Sequence, residues 1–178
     1  MGQIQPTPKS LLIIAVTSRY EEALRWSCDR AIQQWGPIAI TSTPFAFSET
    51  DYYQKTMGPD LLKQFVAMAE LIDPGSLPSI KHLTNQWEEE YATTTGWSES
   101  RPLNLDPGYV TDAKLVLAST KNHAHRIYLD SGIYAEVTLY YQGRQWKHWN
   151  WTYPDYRRLD YHAFFASCRE YYLDHSRR

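Results

Sequence analysis

The sequence has little of what marks a secreted, membrane-bound or metal-built protein. Cysteine is scarce: only Cys28 and Cys168 occur in 178 residues, far apart and with no neighbour at zinc-ligand spacing. That excludes a framework of several disulfides and predicts reduced thiols, with Cys28 inside an amphipathic helical pattern. Long apolar runs are missing too. The run Leu11 to Val16 falls far short of the roughly 20 residues that cross a bilayer. No charged segment and adequate apolar stretch form a signal peptide before it. Gly2 carries no myristoylation motif, because Pro6 holds the position that needs a hydroxyl. Charge of one sign is also lacking, with 18 Lys and Arg against 20 Asp and Glu, so nothing pulls the whole chain toward nucleic acid or anionic lipid. With no repeat and no Ser/Gly-rich linker, these absences predict a soluble cytoplasmic protein. They also predict one domain over residues 1–178, with residues 1–9 as a flexible leader.

Aromatics are plentiful, at 15% of the chain with 7 Trp and 14 Tyr. Such rings combine apolar bodies with polar tips, which suits core, half-buried walls and ligand-facing surfaces alike. Ser10 to Ser18 reads as a buried strand, and the segment after it has helical period up to a stop at Gly36. Pro37 to Phe47 is extended, with Pro44 at an edge or bulge. Ser48 and Asp51 have capping-box-like spacing. Leu61 to Ile72 fits helix and strand, and its alternation leans toward strand. Asp73 and Pro74 predict a helix start, followed by an apolar stripe of Ile80, Leu83, Trp87 and Tyr91 with Glu88, Glu89 and Glu90 on a solvated face. An Asp-Pro-Gly turn is expected at Asp106 to Gly108, then a short helix capped by Thr111. A last helix turns Tyr161, Phe164, Phe165, Cys168 and Tyr172 inward. The fold class is α+β: a mostly antiparallel sheet packed by about three to four helices.

The stretch from His123 to Tyr141 is a hairpin. A three-residue loop, Asp130 to Gly132, places Leu129 opposite Ile133 and Ile127 opposite Ala135. One face is then Ile127, Leu129, Ile133, Ala135, Val137 and Leu139, read as core. The other carries Arg126, Tyr128, Tyr134, Glu136, Thr138 and Tyr140, with Arg126 across from Glu136. This pair is either a cross-strand ion pair or part of an anion-recognising platform. His123 and His125 could ligate a metal from one strand, but no third ligand can be placed, so neither a metal nor a cofactor is assigned.

Five blocks carry a resemblance: Thr50 to Gly58, Leu71 to Pro74, Asn104 to Lys121, His125 to Leu139 and Trp151 to Arg157. On these blocks, in this order, the chain resembles the bacterial and archaeal family known as domain of unknown function 4416. The resemblance implies a single domain and brings no reaction with it. At Thr56 the family's block usually has an acidic residue before Met57 and Gly58, so an essential carboxylate is not expected there.

Those blocks hold loop-borne polar residues that suit a site as well as a turn. The functional expectation is an anionic small molecule, of nucleotide or phosphoester class, bound or turned over at a polar sheet face. Arg126 and Lys114 would supply charge, the latter in the first turn of the helix after Thr111. Glu136, His125 and Asp106 would move protons, and Tyr109, Tyr128, Tyr134, Asp51, Tyr52 and Tyr153 would orient the ligand. These residue types suit a binder and an enzyme equally. The alternative is a module for single-stranded nucleic acid or protein partners, using the aromatic and basic segment 144–158 as a stacking surface.

Overall fold

The β-branched run at the start forms β1 (Ser10–Ser18), buried at all its positions. It is so apolar because it lies mid-sheet with helices over both faces. The computed structural model describes residues 2–48 and 54–176; Asp51, Tyr52 and the Ser48–Asp51 spacing lie outside that set. After β1 come α1 (Glu21–Trp35), β2 (Ile38–Thr41) and β3 (Phe45–Phe47), then α2 (Gln54–Met57) and β4 (Leu61–Ile72). The second half holds α3 (Leu77–Thr94), β5 (Asn104–Val110), β6 (Lys114–Ser119), β7 (Ile127–Asp130) and β8 (Ile133–Gln142), followed by β9 (Gln145–His148) and α4 (Leu159–His175).

All pairings are antiparallel and make one nine-stranded sheet in the order β2-β4-β1-β5-β6-β8-β7, with β3 on β4 and β9 on β8. The order β2-β4-β1-β5 with α1 and α3 is a split β-α-β-β-α-β arrangement. The remaining strands extend it from the β5 edge. Leu12, Ile14 and Val16 face α1 and α3, packing against Ala23, Leu24, Ile80, Trp87 and Tyr91. Leu11, Ile13 and Ala15 face α4, whose Tyr161, Phe164, Phe165, Cys168 and Tyr172 fill the other core. The α+β expectation therefore holds, with four helices among the described residues. None of them is long and apolar enough to cross a membrane. Both cysteines are free, and burial pushes both thiols up and keeps them protonated.

Five local expectations are corrected. Asp106 to Gly108 is not a turn but part of β5, and Thr111 caps no helix. Its Oγ1 instead accepts from the N–H groups of Ala113 and Lys114, both at 3.2 Å, and closes a tight turn into β6. The Lys114–Ser119 stretch pairs with β8 along its length and with β5 over Leu115–Leu117, so its backbone groups are satisfied as a strand and not as a helix. Asp73 caps a 3₁₀ turn over Pro74–Ser76 through Gly75 N–H at 2.8 Å, and the helix proper starts at Leu77. In the hairpin, Ile127 faces Ala135 as expected, but Asp130 rather than Leu129 faces Ile133. The connection is the two residues Ser131 and Gly132, both with positive φ, and a bulge before Asp130 absorbs the difference. The hairpin's burial is also reversed near its open end. Ile127 is 71% exposed, whereas Arg126, Glu136 and Thr138 are buried.

One departure from regular pairing positions everything that follows. The β5–β6 ladder runs only from Val110 to Gly108 against Leu115 to Leu117, although β5 continues to Asn104 and β6 to Ser119. At its last rung the strands are very close, since a Cβ on Gly108 would lie 2.3 Å from the Val116 carbonyl oxygen. Below that rung β5 is an edge on this side, the kind of place where a strand tolerates Pro107.

Candidate functional site

A cavity of about 750 Å³ occupies the gap beyond the last β5–β6 rung, within the size range of small-molecule sites. Asn104 and Asp106 line it from β5, Leu117 to Ser119 from β6, and Lys63 from β4. Glu136 comes from β8, and Lys81, Asn85 and Glu88 come from α3. Register explains the mixture. Asp106 lies across from Ala15 and shares the α4 face, while Lys81 belongs to a helix on the opposite face. With no β6 rung between them, Lys81 Nζ reaches both the Leu105 carbonyl at 2.7 Å and Asp106 Oδ1 at 3.2 Å.

The charged groups form paired units. Lys63 Nζ donates to Asp155 Oδ2 at 2.6 Å and sits 4.2 Å from the Phe47 ring centre and 5.2 Å from that of Tyr156. Arg126 Nε donates to Glu136 Oε2 at 2.9 Å, Nη1 to Ser119 Oγ and the Lys121 carbonyl, and Nη2 to Tyr153 Oη at 3.0 Å. Arg101 bonds Glu88 Oε2 and Asn104 Oδ1, and Glu88 Oε1 accepts from Leu105 N–H at 2.7 Å. Burial pushes the Glu88 carboxyl up, against the pull of Lys81 and Arg101. Burial acts the same way on Asp106, but the charges of Lys81 and Lys63 and the hydrogen bonds from Asn104 and Lys81 outweigh it. Its carboxyl therefore lies below the ordinary value and stays ionised. The wall as a whole carries five cationic and five acidic side chains.

Hydrogen-bonding capacity is left over on this wall. Lys63 spends one of its three N–H donors, Lys81 two of three and Arg126 four of five. Glu136 Oε1 is buried and reached by no protein donor. Charges this deep are costly to keep unless something matches them.

Of the residues singled out from sequence, Asp106, Arg126, Glu136 and Tyr153 meet at this cavity. His125 stands behind it, with Nε2 at 3.2 Å from Glu136 Oε2. Lys114 does not join them: it is exposed on β6 and pairs with Tyr140. Its expected role at a helix start goes with the helix that is not there. Tyr109 packs on the small cluster of Leu77, Val116, Ala118 and Ile133, and Tyr128 meets Tyr134 edge-on at 5.5 Å near the sheet edge. Among the described residues no group of three or more His, Cys, Asp or Glu is placed to hold a metal.

Sequence reasoning missed Lys63, Lys81, Glu88 and Arg101. Lys63 left a trace, since strand alternation puts it on the same side as Leu61 and Phe65, inside. Lys81 follows Leu77 by four residues on the inner flank of α3. Glu88 was assigned to a solvated face, and the Arg101 guanidinium that shields it comes from a loop no periodicity describes. The segment 144–158 divides. Trp146 is core, while Trp149 stacks on Trp151 at 5.2 Å and Trp151 on His125 at 5.6 Å. Two of its three arginines hold the fold, Arg157 through the Thr152 and Asn150 carbonyls and Arg158 through the Ala46 carbonyl and Asp160.

The chain belongs to the family described as a domain of unknown function, DUF4416, whose model matches residues 8–172. No curated protein and no solved structure matches it.

Proposed function

We propose that this DUF4416 member binds an anionic small molecule, of nucleotide or phosphoester class, in the cavity between β5 and β6. The observation that carries the reading is the unspent N–H capacity of three buried cations, Lys63, Lys81 and Arg126, on one wall. A phosphate offers several acceptor oxygens, and charge-assisted hydrogen bonds to it in a shielded place are strong. Glu136 is the group best placed to take a proton from such a ligand, and His125, a quarter exposed and bonded to Oε2, links it toward solvent. Nucleoside phosphates and simple phosphate esters should raise the unfolding midpoint by about 5–10 °C at a hundredfold excess over Kd. Lys81→Met should weaken that binding at least about tenfold in calorimetry. If none of these compounds shifts the midpoint, the reading fails.

The stacked row of Trp149, Trp151 and His125 favours a second reading, a platform for single-stranded nucleic acid. It ranks lower because Arg157 and Arg158 are engaged with carbonyls and Asp160. Salt-dependent oligonucleotide binding that disappears in Trp151→Ala would reverse the ranking.

A further inference from the structure

We infer that the ligand of this cavity carries, besides its anionic group, a hydrogen-bond donor that Asp106 accepts; the inference rests on the anion reading above. Asp106 sits mid-strand in a nine-stranded sheet, yet its side chain is 30% exposed. That surface opens into the cavity, which Asp106 lines. Each of its oxygens has one protein partner, Lys81 on Oδ1 and Asn104 on Oδ2. A carboxylate has about four lone-pair sites, so about half of its accepting capacity faces the cavity unused. Glu136 Oε1 is a second observation of the same kind, an acceptor on a side chain only 3% exposed that no protein donor reaches.

Charge balance points the same way. A purely anionic ligand satisfies the spare donors of Lys63, Lys81 and Arg126 but adds negative charge to a wall whose five cations are already matched by five carboxylates. A phosphoester that also bears a hydroxyl satisfies both sets of hydrogen-bonding groups, and one that bears a protonated amine offsets the added negative charge as well. A ligand without that donor leaves ionised Asp106 facing an apolar group as water is displaced, which costs binding energy. Asp106 is thus a selector among phosphoesters, a specificity-determining role distinct from holding the phosphate.

Three probes of nearly one size separate these contributions: ethyl phosphate, 2-hydroxyethyl phosphate and 2-aminoethyl phosphate. By calorimetry on the wild-type chain, at least one donor-bearing probe should bind about tenfold or more tighter than ethyl phosphate. The stronger of the two tells a neutral donor from a cationic one. In Asp106→Asn the donor-bearing probe's advantage over ethyl phosphate should fall to within about twofold, whatever the variant does to the affinity for phosphate itself. A second readout needs no variant: the Asn104 side-chain amide, bonded to Asp106 Oδ2 at 2.7 Å, should shift in NMR spectra with the preferred probe and not with ethyl phosphate. Equal affinity for all three probes overturns the inference and leaves the anion reading standing. A preference that survives in folded Asp106→Asn, or an unmoved Asn104 amide, overturns the assignment to Asp106. Binding of none of the three overturns the inference as well, and takes down the anion reading itself when nucleoside phosphates also leave the unfolding midpoint unmoved.

Discussion

Lys63 and Phe65 lie two residues apart on one face of β4, and their surroundings differ completely. Phe65 is ringed by Phe45, Tyr156, Tyr161, Phe164 and Phe165, with centroids 4.7–6.2 Å away. Lys63, also buried, faces the cavity and Asp155. Tyr156 borders both, meeting Phe65 edge-on at 5.9 Å and the Lys63 ammonium with its ring. The same strand face therefore runs from an aromatic core held by burial to a wall held by paired charges. Burial alone does not distinguish core from site here; what distinguishes them is whether each buried group has spent its bonding capacity.

The core end should be the more sensitive to truncation. Phe65→Ala removes the ring that five others touch, and its urea-derived stability should fall by about 3–5 kcal/mol. At the charged end, Lys63→Met leaves Asp155 buried without its cation and should lose about 3 kcal/mol. Joining it to Asp155→Leu should bring stability back to within about 1 kcal/mol of wild type, because apolar side chains of similar volume replace buried ion pairs well. The double variant should still fail to bind phosphoesters. A double variant as unstable as Lys63→Met would mean that the ion pair is structural, and the contrast with Phe65 would collapse.

The smallest effect lies outside both regions. Glu99 receives hydrogen bonds from the Tyr20 hydroxyl at 2.6 Å and the Arg19 guanidinium at 2.8 Å, which lower its pKa to about 2 from an ordinary 4.5. A carboxyl lowered on folding stabilises fully above its unfolded value and loses that contribution as pH falls through the folded one. The wild-type chain should therefore lose more stability than Glu99→Gln between pH 4.5 and pH 2, as followed by acid titration of the denaturation midpoint. Equal slopes would show that this surface cluster contributes nothing measurable.

Much of the fold was legible because it obeys short-range periods. The alternation of β4, the inward set of α4 and the Gly36 stop of α1 all emerge as the residues suggest, since each depends on neighbours within a few positions. Local chemistry misled where pairing partners were remote. Asp106-Pro107-Gly108 has turn composition, yet β1 on one side and the close approach of β6 at Gly108 hold it extended. Thr111 is a good cap residue, but it closes a turn between strands. In the hairpin, Ile133 and Leu139 are buried as their alternation suggests, but a bulge interrupts that alternation, and near Arg126 and Glu136 the sheet face that looks inward lines a charged cavity and not an apolar core.

By itself, then, the sequence determined the α+β class and most helices and strands, because these follow from local period; Arg126 still meets Glu136 across the hairpin because a bulge before Asp130 offsets a turn one residue shorter than expected. Only the tertiary structure decided that β5 and β6 separate below Gly108, and with that which charges meet. Asp106, Lys81, Lys63 and Asp155 come from four separate parts of the chain. No local pattern records that they share one space, since their meeting depends on where a ladder between two strands stops.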